Sequence, residues 1–112
     1  MRASILTLCL VTTVLTSCTH SDKQARLIGL SEPTIVARLG APAVQREFPM
    51  SDAKSMFRVG LQTHYPLPES GNIRIREVTW EFGDDRLTCW LHIVHGEWQV
   101  LETTKYTKWT VF

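Results

Sequence analysis

At 112 residues, with twelve Lys/Arg against eleven Asp/Glu, the chain has room for one domain at most. That near balance carries no basic surplus of the kind that draws a protein to nucleic acid, and no acidic surplus for a basic partner. The N-terminus is so apolar that it must be subtracted before any core is counted.

Arg2 supplies a charged start, and residues 5–15 form an uncharged apolar run too short to span a bilayer comfortably. That combination predicts a secretory signal peptide over residues 1–17. Leu15-Thr16-Ser17-Cys18 resembles the bacterial lipobox, in which small residues precede a cysteine that becomes residue one of the mature chain. The resemblance implies diacylglycerol on the Cys18 sulfur and an acyl group on its amine, and no other cofactor. Each buried methylene of such an anchor adds about 0.8 kcal/mol, so two or three chains hold the protein on the membrane. Thr19 stands where an aspartate would resemble the inner-membrane retention signal, so the expected address is the periplasmic side of a bacterial outer membrane. Cys9 departs with the leader and Cys18 carries lipid, which leaves Cys89 without an intramolecular partner and predicts that it is buried. The loss of Arg2 brings the mature chain to formal neutrality before histidines.

Residues 18–28 read as the lipidated cysteine and a polar tether, and residues 29–112 as the domain. The first element is a short helix with both ends marked. Ser31 is the N-cap, Glu32 and Pro33 suit the first turn, Gly40 suits the closing position and Pro42 prevents continuation. Ile35, Val36 and Leu39 form its apolar stripe, with Leu30 placed to staple onto Ile35. Two turns are unstable alone, so this helix must lie on something.

Phe57, Val59, Leu61, Thr63 and Tyr65 alternate with Arg58, Gly60, Gln62 and His64, the period of a half-buried strand. Before it, residues 43–56 are ambiguous, with Ser51 a cap for a second short helix. After it, residues 66–72 are a turn-rich loop. Residues 73–82 form a strand with a phase change: Ile73 and Ile75 have one parity, Val78, Trp80 and Phe82 the other. A bulge near Arg76-Glu77 would bring both sets to one core. A turn at residues 83–86 leads to a strand over 87–94, a hairpin connection at His95-Gly96-Glu97, and a strand over 98–106. Seven of the ten aromatics lie between Trp80 and Phe112, which puts the bulk of the core in this C-terminal meander. The expected fold is α+β: one or two short N-terminal helices packed on a three- to four-stranded antiparallel meander.

Gly29-Leu30-Ser31, then Ile35-Val36, then Leu39-Gly40-Ala41-Pro42, resemble the helix motif of the SmpA/OmlA (BamE-like) outer-membrane lipoproteins. Trp80-Glu81-Phe82, Leu87 to Ile93 and Gly96-Glu97-Trp98-Gln99-Val100 are similar to that family's strands, in the same order. The resemblance implies a small α+β domain and a non-enzymatic accessory role at the outer membrane, beside the machinery that assembles β-barrels. The chain departs from the pattern in its long 43–77 region, in Trp98 after the glycine turn, and in Thr34 where a capping box would carry Glu or Gln. The arrangement is also similar to the repeat unit of proteinaceous β-lactamase inhibitors, which implies the alternative of a membrane-tethered inhibitor of a hydrolase.

No residue set points to catalysis or to a small-molecule substrate. His92 and His95 have opposite parity and no cysteine or carboxylate completes a metal set, so no metal is expected. Asp84-Asp85 reads as a solvated turn, and Cys89 and His92 point to opposite faces of their strand. The remaining candidate is a protein-binding surface. If Leu87, Cys89, Leu91 and Ile93 meet the helix, Trp90 and His92 lie on the other sheet face. Trp90 is then either a binding anchor or, if residues 43–56 or the C-terminus cover that face, part of the core. Lys108 to Phe112 is expected as a last short strand; its terminal aromatic resembles that of barrel strands, but the chain is too short for an eight-stranded barrel.

Overall fold

The computed structural model describes residues 26–112; the leader, the stretch from Leu15 to Cys18 and most of the tether lie outside the described residues. One α-helix packs on a four-stranded antiparallel sheet. The helix, α1, is Glu32–Leu39, and the strands are β1 (Val44–Pro49), β2 (Arg74–Phe82), β3 (Asp85–Val94) and β4 (Glu97–Thr107). They lie side by side in sequence order.

The helix ends where the sequence marks it. Gly40 takes a φ of 87°, open to glycine and costly for other residues, and its N–H donates to the Val36 carbonyl. Ser31 is the N-cap residue, yet its hydroxyl pairs with Thr34 Oγ1 at 2.9 Å and caps no backbone N–H of the helix. Just before it, Gly29 donates to the Val100 carbonyl at 2.8 Å and Val100 donates back to the Leu30 carbonyl at 2.9 Å. The chain entering α1 is thereby sewn to the outer edge of β4. Ile35, Leu27, Val78, Trp80, Leu87, Cys89, Leu91 and Val100 form the core beneath α1.

The two hairpins follow from their turn residues. Gly83-Asp84 connects β2 to β3 with a positive φ at the first position, and His95-Gly96 connects β3 to β4 with positive φ at both.

Several expectations are corrected. Residues 57–65 are not a strand: they are turns and a 3-10 segment, Val59–Thr63. Phe57, Leu61 and Tyr65 recur every fourth residue, and all three pack into one cluster on the sheet, whereas Val59 is exposed. The alternation was compatible with a strand, but Gly60 weakens that choice and the spacing of four carries the burial. The missing strand is β1, within the stretch that read as ambiguous. The second helix expected from Ser51 is a single 3-10 turn, Met50–Asp52. Residues 108–112 are not a strand either; a turn follows Thr107, whose N–H meets Thr110 Oγ1 at 3.2 Å.

The bulge lies in β4, not in β2. The pairing of β1 and β2 with their neighbours is continuous through Arg76 and Glu77. The opposite parities of Ile75 and Val78 need no reconciling, because both faces of the sheet are covered. Phe48, Met50, Ala53, Leu61, Ile75 and Trp90 make a second core on the face away from α1, roofed by the excursion between β1 and β2. In β4, Trp90 pairs with Glu102 while Leu91 pairs with Val100, so Leu101 is the extra residue. Val100 therefore serves the core under α1 and its neighbour Leu101 packs on the second.

Leu61 is 1 % exposed and is the apolar contact through which the 3-10 segment grips the sheet. Leu61→Ala is expected to lower unfolding stability by about 2–5 kcal/mol, measured by urea denaturation.

Candidate functional site

The second sheet face is only half roofed. Three rows of side chains cross it, read from the strand register. The first is Arg46, Glu77, Trp90 and Glu102; the second is Val44, Thr79, Thr88 and Thr104; the third is Glu81, Arg86 and Tyr106. The roof covers the Trp90 row and stops there. Short side chains in the middle row between long ones on both sides make a trough, and a cavity of about 490 Å³ lies over it. Ser55, Phe57 and Arg58 from the roof form one wall, and Thr107, Lys108 and Thr110 add to the other.

Glu77 anchors the roofed side. The residue is 7 % exposed, and its Oε2 accepts the Trp90 indole N–H at 2.8 Å and Arg58 Nε at 2.9 Å. Its Oε1 accepts Arg58 Nη2 at 3.0 Å. The fork-on-carboxylate geometry is that of a strong charge-assisted pair. The Arg58 guanidinium also lies 3.9 Å from the centre of the Phe48 ring. These hydrogen bonds to Glu77 hold Arg58 above its ordinary pKa. With both oxygens occupied, Glu77 serves as a structural counter-ion.

The floor of the trough is a chain of hydroxyls. Thr88 Oγ1 lies 2.7 Å from Thr79 Oγ1 and 2.9 Å from Tyr106 Oη, and Thr88 is fully buried. Three hydroxyls joined by two hydrogen bonds have one proton to spare, so one end of the chain offers a donor and the other an acceptor. The Tyr106 ring meets Phe57 edge-on at 5.4 Å, and Phe112 packs on both at 4.6 and 5.3 Å. Phe112 thus backs the two rings that line the trough.

Four cationic side chains and two carboxylates line the cavity. Arg58 and Glu77 neutralise each other. Arg86 reaches Glu81 only at 3.8 Å and spends one nitrogen on the carbonyls of Gly83 and Asp85. Lys108 pairs with Asp84 at 3.1 Å. Arg46 is exposed on the edge strand β1, with no acidic partner among the described residues.

The residues singled out from the sequence fall as follows. Leu15, Thr16, Ser17 and Cys18 lie outside the described residues. Trp90 is 4 % exposed beneath the roof, with Phe57 edge-on at 5.1 Å; of the two readings open to it, an exposed anchor and a core residue, the second holds, because the excursion after β1 covers this ring. His92 is half-buried, and Tyr65 Oη lies 2.6 Å from its Nδ1. His95 forms the turn, away from His92, and Asp84 and Asp85 sit at the β2–β3 hairpin. Cys89 is buried under α1, where desolvation pushes its thiol up to about 12. Among the described residues no group of three or more His, Cys, Asp or Glu is placed to hold a metal, and no helix is long and apolar enough to cross a membrane.

The sequence reading missed Arg46, Arg58, Glu77 and the Thr79–Thr88–Tyr106 chain. Period-two parity puts Thr79 and Glu77 on one face of β2 and Thr88 and Trp90 on one face of β3. Their juxtaposition needed the register between strands, and Arg58 needed the true conformation of residues 57–65. Compared with protein-family models, with curated proteins and with solved structures, the chain matches none.

Glu77→Ala strands a buried indole N–H and a largely covered guanidinium, so a loss of about 3 kcal/mol is expected in chemical denaturation. Glu77→Gln, which keeps an acceptor for Trp90, should lose less. A separate effect of pH follows from His92, which burial and then the neighbouring His64 push below the ordinary 6.5. The unfolded chain then takes up the proton more readily than the folded one. The contribution is complete above about pH 6.5 and shrinks as pH falls through that value toward the folded-state pKa. Thermal midpoints are expected to drop on acidification from pH 7 to 5, and His92→Gln should flatten that part of the curve.

Proposed function

We propose that this chain is a lipid-anchored protein on the periplasmic side of a bacterial outer membrane, acting there as a non-enzymatic accessory factor that binds protein. The observation that carries the reading is Leu15-Thr16-Ser17-Cys18 at the end of a short apolar run, the pattern at which a lipoprotein precursor is acylated and cut. The polar residues after Cys18 suit a tether, which on the order of 15 Å of flexible reach keeps close to the membrane.

Two features of the folded domain support binding over catalysis. The cavity's most buried carboxylate is fully occupied by Arg58 and Trp90. The thiol at Cys89 is sealed in the core and its desolvation disfavours the nucleophilic thiolate. A half-roofed sheet with charged and hydroxylated side chains around a trough is instead a surface for a partner. The order of helix and strand motifs, similar to that of the SmpA/OmlA lipoproteins, favours outer-membrane protein assembly or envelope integrity as the setting.

Cys18→Ser is expected to abolish palmitate incorporation and to leave an uncleaved precursor, read by metabolic labelling and by the mass of the purified protein. Affinity capture of the wild-type lipoprotein from solubilised envelopes should recover barrel-assembly components. Lipidation without such recovery, together with normal barrel-protein levels in a deletion strain, would overturn the assembly role and leave the address standing.

A further inference from the structure

We infer that the trough over Val44 and Thr79 is a docking site for a short acidic, extended segment of a partner protein, with carboxylates of that segment meeting Arg46 at one rim and Arg86 at the other. This deepens the protein-binding reading and rests on it.

The dimensions set the occupant. From β1 to β3 the trough crosses two strand spacings, about 10 Å, which matches about three residues of extended chain. Its entrance is the β1 edge, where Val44 and Arg46 are both exposed, and Tyr106, whose hydroxyl lies 2.9 Å from Thr88 Oγ1, lines its far end.

Charge sets the chemistry. Arg46 has no acidic partner among the described residues, and Arg86 holds Glu81 only at a loose 3.8 Å, so both arginines gain by meeting a carboxylate. Lys108 stands beyond them, already paired to Asp84. A dense polyanion such as a phosphorylated or sulfated chain would be repelled by Glu81, whose side chain is 50 % exposed at the rim. An extended peptide can bring separate carboxylates to the two arginines and a backbone N–H to Glu81. The hydroxyl chain suits such a ligand too, since reversing its two hydrogen bonds turns its exposed end from donor to acceptor. The Phe57 ring, backed by Phe112, offers an apolar wall to a neighbouring side chain.

The test uses the full lipidated chain in detergent micelles and a fluorescein-labelled peptide Ser-Glu-Leu-Glu-Ser, with Ser-Gln-Leu-Gln-Ser as its uncharged counterpart. The acidic peptide should bind, weaken with added salt, and shift the amide resonances of Val44, Thr79 and Thr88. Losing one charge-assisted hydrogen bond costs about tenfold or more in affinity, so the glutamine peptide and Arg46→Ala should each show that drop. Arg46→Lys should retain part of the affinity, and Arg38→Ala on the exposed side of α1 should change nothing. Equal binding of the two peptides, an indifferent Arg46→Ala, or a sulfated disaccharide binding more tightly than the acidic peptide would each overturn the inference. A photocrosslinking residue placed at Val44 or at Ile93 separates this from the broader reading. Capture of an envelope protein from Ile93 and not from Val44 leaves protein binding intact and sinks the trough as its site. Capture from neither removes the protein-binding reading itself, and the inference with it.

Discussion

The buried carboxylate of Glu77 is the constraint around which the second half of the molecule is arranged. A charge at that depth is tolerated only if its lone pairs are filled, and Arg58 and the Trp90 indole fill them. Arg58 belongs to the excursion between β1 and β2, so satisfying Glu77 means bringing that excursion down onto the sheet. Phe57 arrives with it and meets Trp90, and Leu61 and Tyr65 follow at intervals of four. The roof then stops one row short, and the trough begins where the apolar contacts end.

The opposite face uses an arginine in a different way. Arg76, next in sequence to Glu77 but pointing the other way, bonds to Glu32 of α1 and to Glu47 of β1, the latter at 2.8 Å, and lies 4.3 Å from the centre of the Trp98 ring. It links the helix, the edge strand and β4 at once. Two adjacent charged residues in β2 thus hold the covers of the two faces. The apolar residues around them provide most of the free energy, while the charges fix which segment lies where.

The sequence was informative wherever one residue dictates a local conformation or one parity dictates a face. Ser31, Pro33 and Gly40 marked α1 to within a residue, Gly83-Asp84 and His95-Gly96 marked both hairpins, and the burial of Cys89 followed from its lack of a partner. Failures gathered where a pattern served two structures. Residues 57–65 match period two and period four, and only the presence of a sheet face needing a roof decides between them. The supposed bulge at Arg76-Glu77 came from assuming one core; with two, Ile75 and Val78 are both inside without it. The trough was illegible for a further reason, being a property of register across strands. Arg46, Thr79 and Tyr106 lie far apart in the chain and carry no motif.

The extra residue in β4 makes that strand a phase converter. Ahead of Leu101, Trp98 and Val100 face α1, and past it Glu102, Thr104 and Tyr106 take the opposite face with the same even numbering. One residue therefore lets a single strand feed the helix core at its start and the wall of the trough at its end. Chain length between Val100 and Glu102 becomes a conserved quantity of the architecture in the mechanical sense. Shortening it by one would remove only the N–H and C=O of the unpaired residue and yet turn half the strand inside out, carrying with it the edge on which Gly29 and Leu30 are sewn.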